Sequence, residues 1–335
     1  MLVTEVTGLK LIAACILGAY LFMDPAGAVR RAGEAMALWA DKVAPSVFPF
    51  LVLLPFFLSD GSCRVFERLF GRVLYRLFRL KGGAAASVFA GLAAGSPAGA
   101  IACRNAYAQG KITSAECMTV MVLSSGLSPA FLVFSVGQGM FSDALYGLKI
   151  LVITYLSGVL GAVFVSRLPH AKTEEPFREG AALSDTGAIQ NAVNAVLSIC
   201  GWMVVFAVFT GKLPESLSVW AEVSGGCAKA AARGNGALAC ALCCFSGGCV
   251  LFQNLQVILK MKLDAALFFL MKCFQAALGS AMYFLFDRIQ AGAFVLKTDA
   301  FEISCAVSVG AAVSVYLLSI KEPRIKRHAN ETKGN

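Results

Sequence analysis

The sequence predicts an all-α polytopic integral membrane protein, with about eight hydrophobic segments of spanning or half-spanning length in two related halves. Re-entrant or broken helices are expected among them. Three observations predict this. The 335-residue chain is 58% hydrophobic and only 15% charged, with a mean hydropathy of +0.73, where soluble domains carry about 25% charged residues. Apolar runs approaching the about 20 residues needed to cross a bilayer recur along its length. Two of these runs hold small-residue interruptions, Gly95-Ser96-Pro97-Ala98-Gly99 and Ser246-Gly247-Gly248. An interrupted helix in hydrocarbon leaves backbone groups unpaired unless protein, water or a ligand satisfies them. Paired breaks in two halves of one chain point to a transporter's substrate site.

The net charge of +9 sits in short clusters beside hydrophobic segments, as the positive-inside rule requires, and not on an aromatic-laced basic surface. Nucleic acid is therefore not an expected partner. The 12 cysteines lie mostly in apolar stretches, where cysteine acts as a small hydrophobe. Cys240, Cys243, Cys244 and Cys249 have no second pair at zinc spacing and no histidine nearby, so packing explains them better than metal or redox chemistry. His170 and His328, the only histidines, lie in polar sequence. No metal and no cofactor is expected.

A single membrane domain is expected over 1–320, with halves 1–168 and 188–320 joined by a polar loop at 169–187. Residues 321–335 form a basic tail. The apolar run 8–23 lacks a basic leader and a cleavage site and reads as a retained first helix. Residues 24–42, with Arg30, Arg31, Glu34, Asp41 and Lys42, read as a polar, amphipathic connection. Residues 43–60 form a second apolar segment that Pro45, Pro49 and Pro55 should kink.

Over 64–81, Arg64, Arg68, Arg72 and Arg76 recur every four residues opposite Val65, Phe66, Leu69, Phe70, Val73, Leu74, Leu77 and Phe78. That pattern predicts a helix in the membrane interface, its arginines toward anionic headgroups. It serves either as a plain anchor or as a docking surface. Residues 83–103 carry Gly91, Gly95 and Gly99 at four-residue spacing, which lets helices approach closely. Pro97 makes this either a re-entrant hairpin with its tip at 95–99 or a kinked continuous helix.

Thr113-x-x-Glu116 is a capping box that starts a short helix. That helix runs into a second interruption at Ser124–Pro129, and the apolar run resumes at 130–137. Spanning helices are expected at 144–166, 188–211, 263–286 and 300–320. Between them lie a mixed segment at 213–233 and the broken one at 236–259. If 83–103 re-enters and the segment broken at 124–129 crosses once, the basic clusters at 64–81, 104–111, 167–178, 260–262 and 321–327 share one side. Arg30 and Arg31 are the exception.

The order Ala94-Gly95-Ser96-Pro97-Ala98-Gly99-Ala100, Gly110-Lys111-Ile112, Glu116 and Ser128-Pro129-Ala130-Phe131 before Val136-Gly137 resembles the YlbJ-type sporulation integral membrane proteins. These belong to the wider nucleoside-recognition gate family. Glu222 with Gly225-Gly226, and Phe245-Ser246-Gly247-Gly248 followed by Gln253, resemble that family's second region. The chain departs from the pattern at Ser96, where relatives carry an aromatic, and at Ser125-Gly126, where they carry asparagines. The resemblance implies a bacterial membrane, one surrounding the forespore, and movement of a small metabolite. Dipicolinate is the implied cargo for sporulation members and nucleosides for the wider family.

The residues themselves suit such a cargo. Half-helix N-termini at the breaks favour a carboxylate or phosphate. Gly95, Pro97, Gly99, Pro129, Gly247 and Gly248 shape the breaks. Ser96, Ser125, Ser128 and Ser246, with Gln253 and Asn254, would form a polar, mostly uncharged pocket. Glu222 is either a coupling group for an ion or proton or a capped, wet helix end; Glu116 is explained by its capping box. Lys149 and Lys272 either pair with an acid or snorkel to the interface, and snorkelling is the expectation. Catalysis is not expected, since a serine nucleophile needs a base and neither histidine lies in an apolar segment. The rival function is a non-transporting scaffold for spore-envelope assembly. A protein partner or second copy stays open.

Overall fold

The computed structural model describes residues 18–57, 60–168 and 187–291, and every regular element among them is helical. The expected helix at 300–320, the tail, the central loop over 169–186 and most of the first helix lie outside the described residues.

Asp24 opens helix α1 (Pro25–Leu38), its carboxylate accepting from the Gly27 amide at 3.0 Å. Pro25 occupies a first-turn position whose amide would have no helical partner. The helix does not end in a polar connection. It passes through a π-turn at Trp39–Val43 into α2 (Ala44–Phe57), and 25–53 is apolar enough to cross a membrane as one span. The expectation of a connection at 24–42 is thus corrected, because its charges are compensated locally. Arg30 pairs with Glu34 one turn on at 2.8 Å, and Arg31 folds back onto Asp24 at 3.1 Å. The proline disturbance falls just upstream of Pro45, where the Ala44 amide reaches five residues back to Trp39 O. Proline has no amide to continue the ordinary ladder.

Helix α3 (Asp60–Phe78) exposes Arg64, Arg68, Arg72 and Arg76 while burying Leu74 and Phe78. The chain then bends by 106° into Gly82–Ala94, which contains α4 (Ala85–Ala94), and returns through α5 (Ala98–Ala108). A continuous helix would hold Gly91 and Gly99 about 12 Å apart along its axis. Instead a Cβ built on Gly99 would lie 2.6 Å from the Gly91 Cα. The chain therefore reverses, and the hairpin alternative holds.

Helix α6 (Ser114–Ser124) begins with the expected capping box, reinforced by the Lys81 amide donating to Glu116 at 3.0 Å. After the interruption a π-helix, Phe131–Met140, leads to α7 (Ala144–Val165). Gly137 abuts Gly147 near one end of α7, and Val122 abuts Gly161 near the other. The broken segment therefore runs the length of α7 and crosses once. On α7, Gly147, Gly158 and Gly161 face inward while Leu145, Leu148, Leu156 and Leu160 face out. Small residues inside and leucines outside are the arrangement that lipid favours.

The second half follows the same order of elements but lacks a counterpart of α3. It comprises a span, α8 (Ala188–Thr210), a short hairpin, α9 (Glu215–Ala221) and α10 (Val223–Ala232), a broken span, α11 (Gly236–Phe245) and α12 (Gly247–Lys260), and a long helix, α13 (Ala265–Ala291). A Cβ on Gly226 would lie 2.2 Å from Val219 O, so the chain reverses at Glu222. Packing is reciprocal between the halves. The π-helix meets α10 as α12 meets α5, α6 meets α13 as α11 meets α7, α7 packs on α13, and α1–α2 pack on α8.

The basic clusters separate accordingly. Arg167 reaches Leu77 O at 3.3 Å, and Gly83 touches the Lys111 backbone, on one face. On the other, Asp24 meets Arg31 and Lys212, Arg233 meets Glu215, and Lys149 pairs with Asp287 at 3.1 Å under the Tyr283 ring. Lys149 thus has an acid partner rather than snorkelling free. With these spans, the chain is an integral membrane protein.

Candidate functional site

The first break begins where α4 ends. Gly95 has φ +71°, and a Cβ there would lie 2.5 Å from the Ser128 amide, so only glycine fits. The Ser96–Pro97 peptide is cis, and α5 starts at Ala98. The amide of Ser96 donates to Gly126 O at 2.8 Å, so the first break is pinned to the one at 125–129. The Ser96 hydroxyl donates to Oδ1 of Asn254 at 2.8 Å, and the Asn254 amide donates to Ser125 O at 3.1 Å. Asn254, fully buried on α12, therefore joins the breaks of the first half to the helix that follows the break of the second.

Other predicted residues serve the helices. Ser125 donates to Met121 O and Ser128 accepts the Phe131 amide at 3.2 Å, closing one helix and opening the next. Pro129 opens the next helix, directly after the non-helical link at 125–128. Gln253 is half-buried on the same helix as Asn254. Glu222 is buried and accepts from the amides of Ser224 and Gly225 at 2.9 and 2.6 Å, capping α10. It is a capped helix end, but a dry one.

The break in the second half adjoins that cap. Ser246 takes a left-handed conformation, φ +74° and ψ +8°, and Gly247 follows with φ +69°. A Cβ on Gly247 would lie 2.8 Å from Val223, and one on Gly248 would lie 3.0 Å from Ala221 O. A non-glycine residue in this conformation costs about 1–2 kcal/mol, and such strain concentrates at functional positions.

Against the break at 124–129, halfway along α7, lies a cavity of about 20 Å³. Its walls include Gly91, Gly126, Thr154, Tyr155, Cys244, Lys272 and Gln275, but not Ser96, Ser128, Gly247 or Gln253. That volume has room for about one water-sized group. Lys272, only 2% exposed, donates to Ser246 Oγ at 3.3 Å. It does not snorkel, which corrects the expectation and places an ionisable amine in the site.

The signal for Lys272 was present in the sequence. It lies four residues from both Phe268 and Ala276 and three from Gln275, all buried on one face of α13. Among the described residues no cluster of three metal-ligating side chains occurs.

In a comparison with known proteins, an alignment 239 positions long that covers 62% of this chain is 23% identical to the sporulation integral membrane protein YlbJ of Bacillus subtilis (strain 168). The match covers 58% of that relative, so the chain spans less than two thirds of its length. No family model matches the chain. No solved structure matches it.

Proposed function

We propose that this chain is a membrane permease component that moves a small polar or anionic metabolite through the junction of its broken helices, with no enzymatic step of its own. The observation that supports this is convergence. The break at 124–129 lines a cavity whose buried Lys272 bonds Ser246 of the break at 246–248, more than a hundred residues further on, and that serine is strained. Close packing alone is achieved with unbroken helices and small residues. The similarity to a sporulation integral membrane protein supports a role in sporulation, and the proposed location is a bacterial membrane around the forespore. A dipicolinate-like dicarboxylate is the preferred cargo, with a nucleoside as the other.

The cavity as it stands is too small for either solute, so passage requires the α4–α5 hairpin, which contributes Gly91 and Leu92 to its wall, to move. Rocking of one repeat against the other is the motion that reciprocal packing of this kind supports. The direct test is uptake by vesicles containing the full chain, comparing pyridine-2,6-dicarboxylate with nucleosides. Saturable uptake of the dicarboxylate is expected; movement of neither solute would overturn the proposal.

One observation favours a scaffold instead. Backbone groups at the first two breaks bond to each other and to Asn254, so they need no ligand. On that reading, neutralising Arg64, Arg68, Arg72 and Arg76 would abolish function, while changes around the cavity would leave it intact.

A further inference from the structure

We propose that Lys272 forms an anion site, taking a single carboxylate group or a halide at the junction of α11 and α12. For the identity of its cargo this rests on the transport reading; for anion binding itself it does not.

The ammonium carries three donors, and its hydrogen bond among the described residues is to Ser246 Oγ. The Phe268 ring lies 5.9 Å away. No carboxylate among the described residues comes within ion-pair distance of it, whereas Lys149, on the neighbouring helix, has Asp287 at 3.1 Å. A buried charge without a counter-charge is strongly unfavourable. The titratable group that faces it is the Cys244 thiol, and the neutral polar groups nearby supply no counter-charge. The Gln275 amide is committed to Val122 O at 3.0 Å, the Tyr155 hydroxyl to Leu92 O at 2.6 Å, and the Cys244 thiol to Thr154 Oγ1 at 3.7 Å.

The backbone adds to this field. Ser246 precedes the first turn of the 14-residue α12, with no side-chain cap on that turn. Ser246, which the ammonium reaches, marks the positive end of that helix, and such an end favours negative charge. The 20 Å³ volume decides which anion. It admits a group about the size of one water, which suits a halide or one end of a carboxylate and excludes a phosphate. A ring-bearing dicarboxylate would place one carboxylate on Lys272 and its remaining bulk where the α4–α5 hairpin now stands.

The experiment uses the full chain in nanodiscs, titrated with sodium chloride and with sodium acetate at constant ionic strength. Unfolding midpoint and heat of binding are read. A saturable rise in midpoint with both anions is expected, lost in Lys272→Met and kept in Lys149→Met. No saturable response in the unaltered chain, or an equal response in Lys272→Met, overturns the site. Should Lys272→Met fail to fold, Thr154→Val, which keeps the charge but alters the cavity wall, should weaken anion affinity several-fold. Unchanged affinity in that variant overturns the site as well. Dicarboxylate uptake is read separately. Anion binding without uptake sinks the transport reading alone, and uptake unchanged by Lys272→Met sinks only the placement of the cargo's carboxylate on Lys272.

Discussion

The hydroxyl of Ser96 donates to the side-chain oxygen of Asn254 at 2.8 Å, tying the tip of the first hairpin to α12. The same amide group donates to Ser125 O at 3.1 Å, so one buried side chain satisfies groups from two interrupted elements.

Replacing Asn254 by alanine should therefore leave both the Ser96 hydroxyl and the Ser125 carbonyl short of a partner. A hydrogen bond between membrane helices contributes about 0.6 kcal/mol on average, but orphaned buried groups raise the loss to about 1–3 kcal/mol. Asn254→Asp keeps the acceptor, removes the donor and buries a charge, so it should be worse than alanine. Thermal unfolding of the purified protein measures both. A neutral Asn254→Ala would show that water or backbone rearrangement replaces the bridge.

Gly99→Ala should open the hairpin. Its Cβ would lie 2.6 Å from the Gly91 Cα and 2.8 Å from Ser124 O, both parts of rigid backbone. Overpacking of this kind costs about 1–3 kcal/mol. Gly126→Ala is the matched control, because a Cβ there meets nothing within 4 Å. It should be neutral or stabilising by up to about 1 kcal/mol. Equal destabilisation by both would mean that chain stiffness, not crowding, governs this region.

Stability should depend on Asp24 at low pH. Its hydrogen bond from Arg31, then that from the Gly27 amide, hold its carboxyl below the usual range, with Lys212 adding to the effect. A lowered folded-state value means this contribution is fully present above the ordinary carboxylate value of about 3.9. It is then lost as pH falls through the lowered one. The unfolding midpoint of Asp24→Asn should lie below that of the unaltered chain at neutral pH, and the two should converge in acid. A gap that stays constant with pH would contradict this linkage.

The arginine stripe should sense lipid charge. Arg64, Arg68, Arg72 and Arg76 are all exposed on α3, beside exposed Val65, Leu69, Phe70 and Val73. Each arginine near an anionic surface is worth about 1 kcal/mol at most, and the attraction is screened by salt. Changing all four to glutamine should abolish any stabilisation that anionic nanodiscs give over zwitterionic ones. An undiminished difference would place lipid recognition elsewhere.

Much of this molecule was legible in its sequence because it follows from local rules. The capping box at Thr113–Glu116, the arginine stripe on α3 and the interruptions at 95–97 and 246–248 depend only on residue type and spacing within a turn or two. The reversal at Glu222 was not legible, because nothing local distinguishes an acid that caps a helix from one that couples an ion. The unbroken passage from α1 to α2 was also missed. Its charges read as a polar connection until Arg31 is seen folded onto Asp24.

By itself, then, the sequence determined the helical membrane class, the positions of the breaks and the arginine-striped helix. The tertiary structure alone decided what the breaks face. Ser96 with Asn254, and Lys272 with Ser246, are partners 158 and 26 positions apart. Their pairing depends on how helices pack, which no local spacing encodes. In the low-dielectric interior that packing also sets the consequence, because a polar group there must find a partner within the fold or present itself to a ligand.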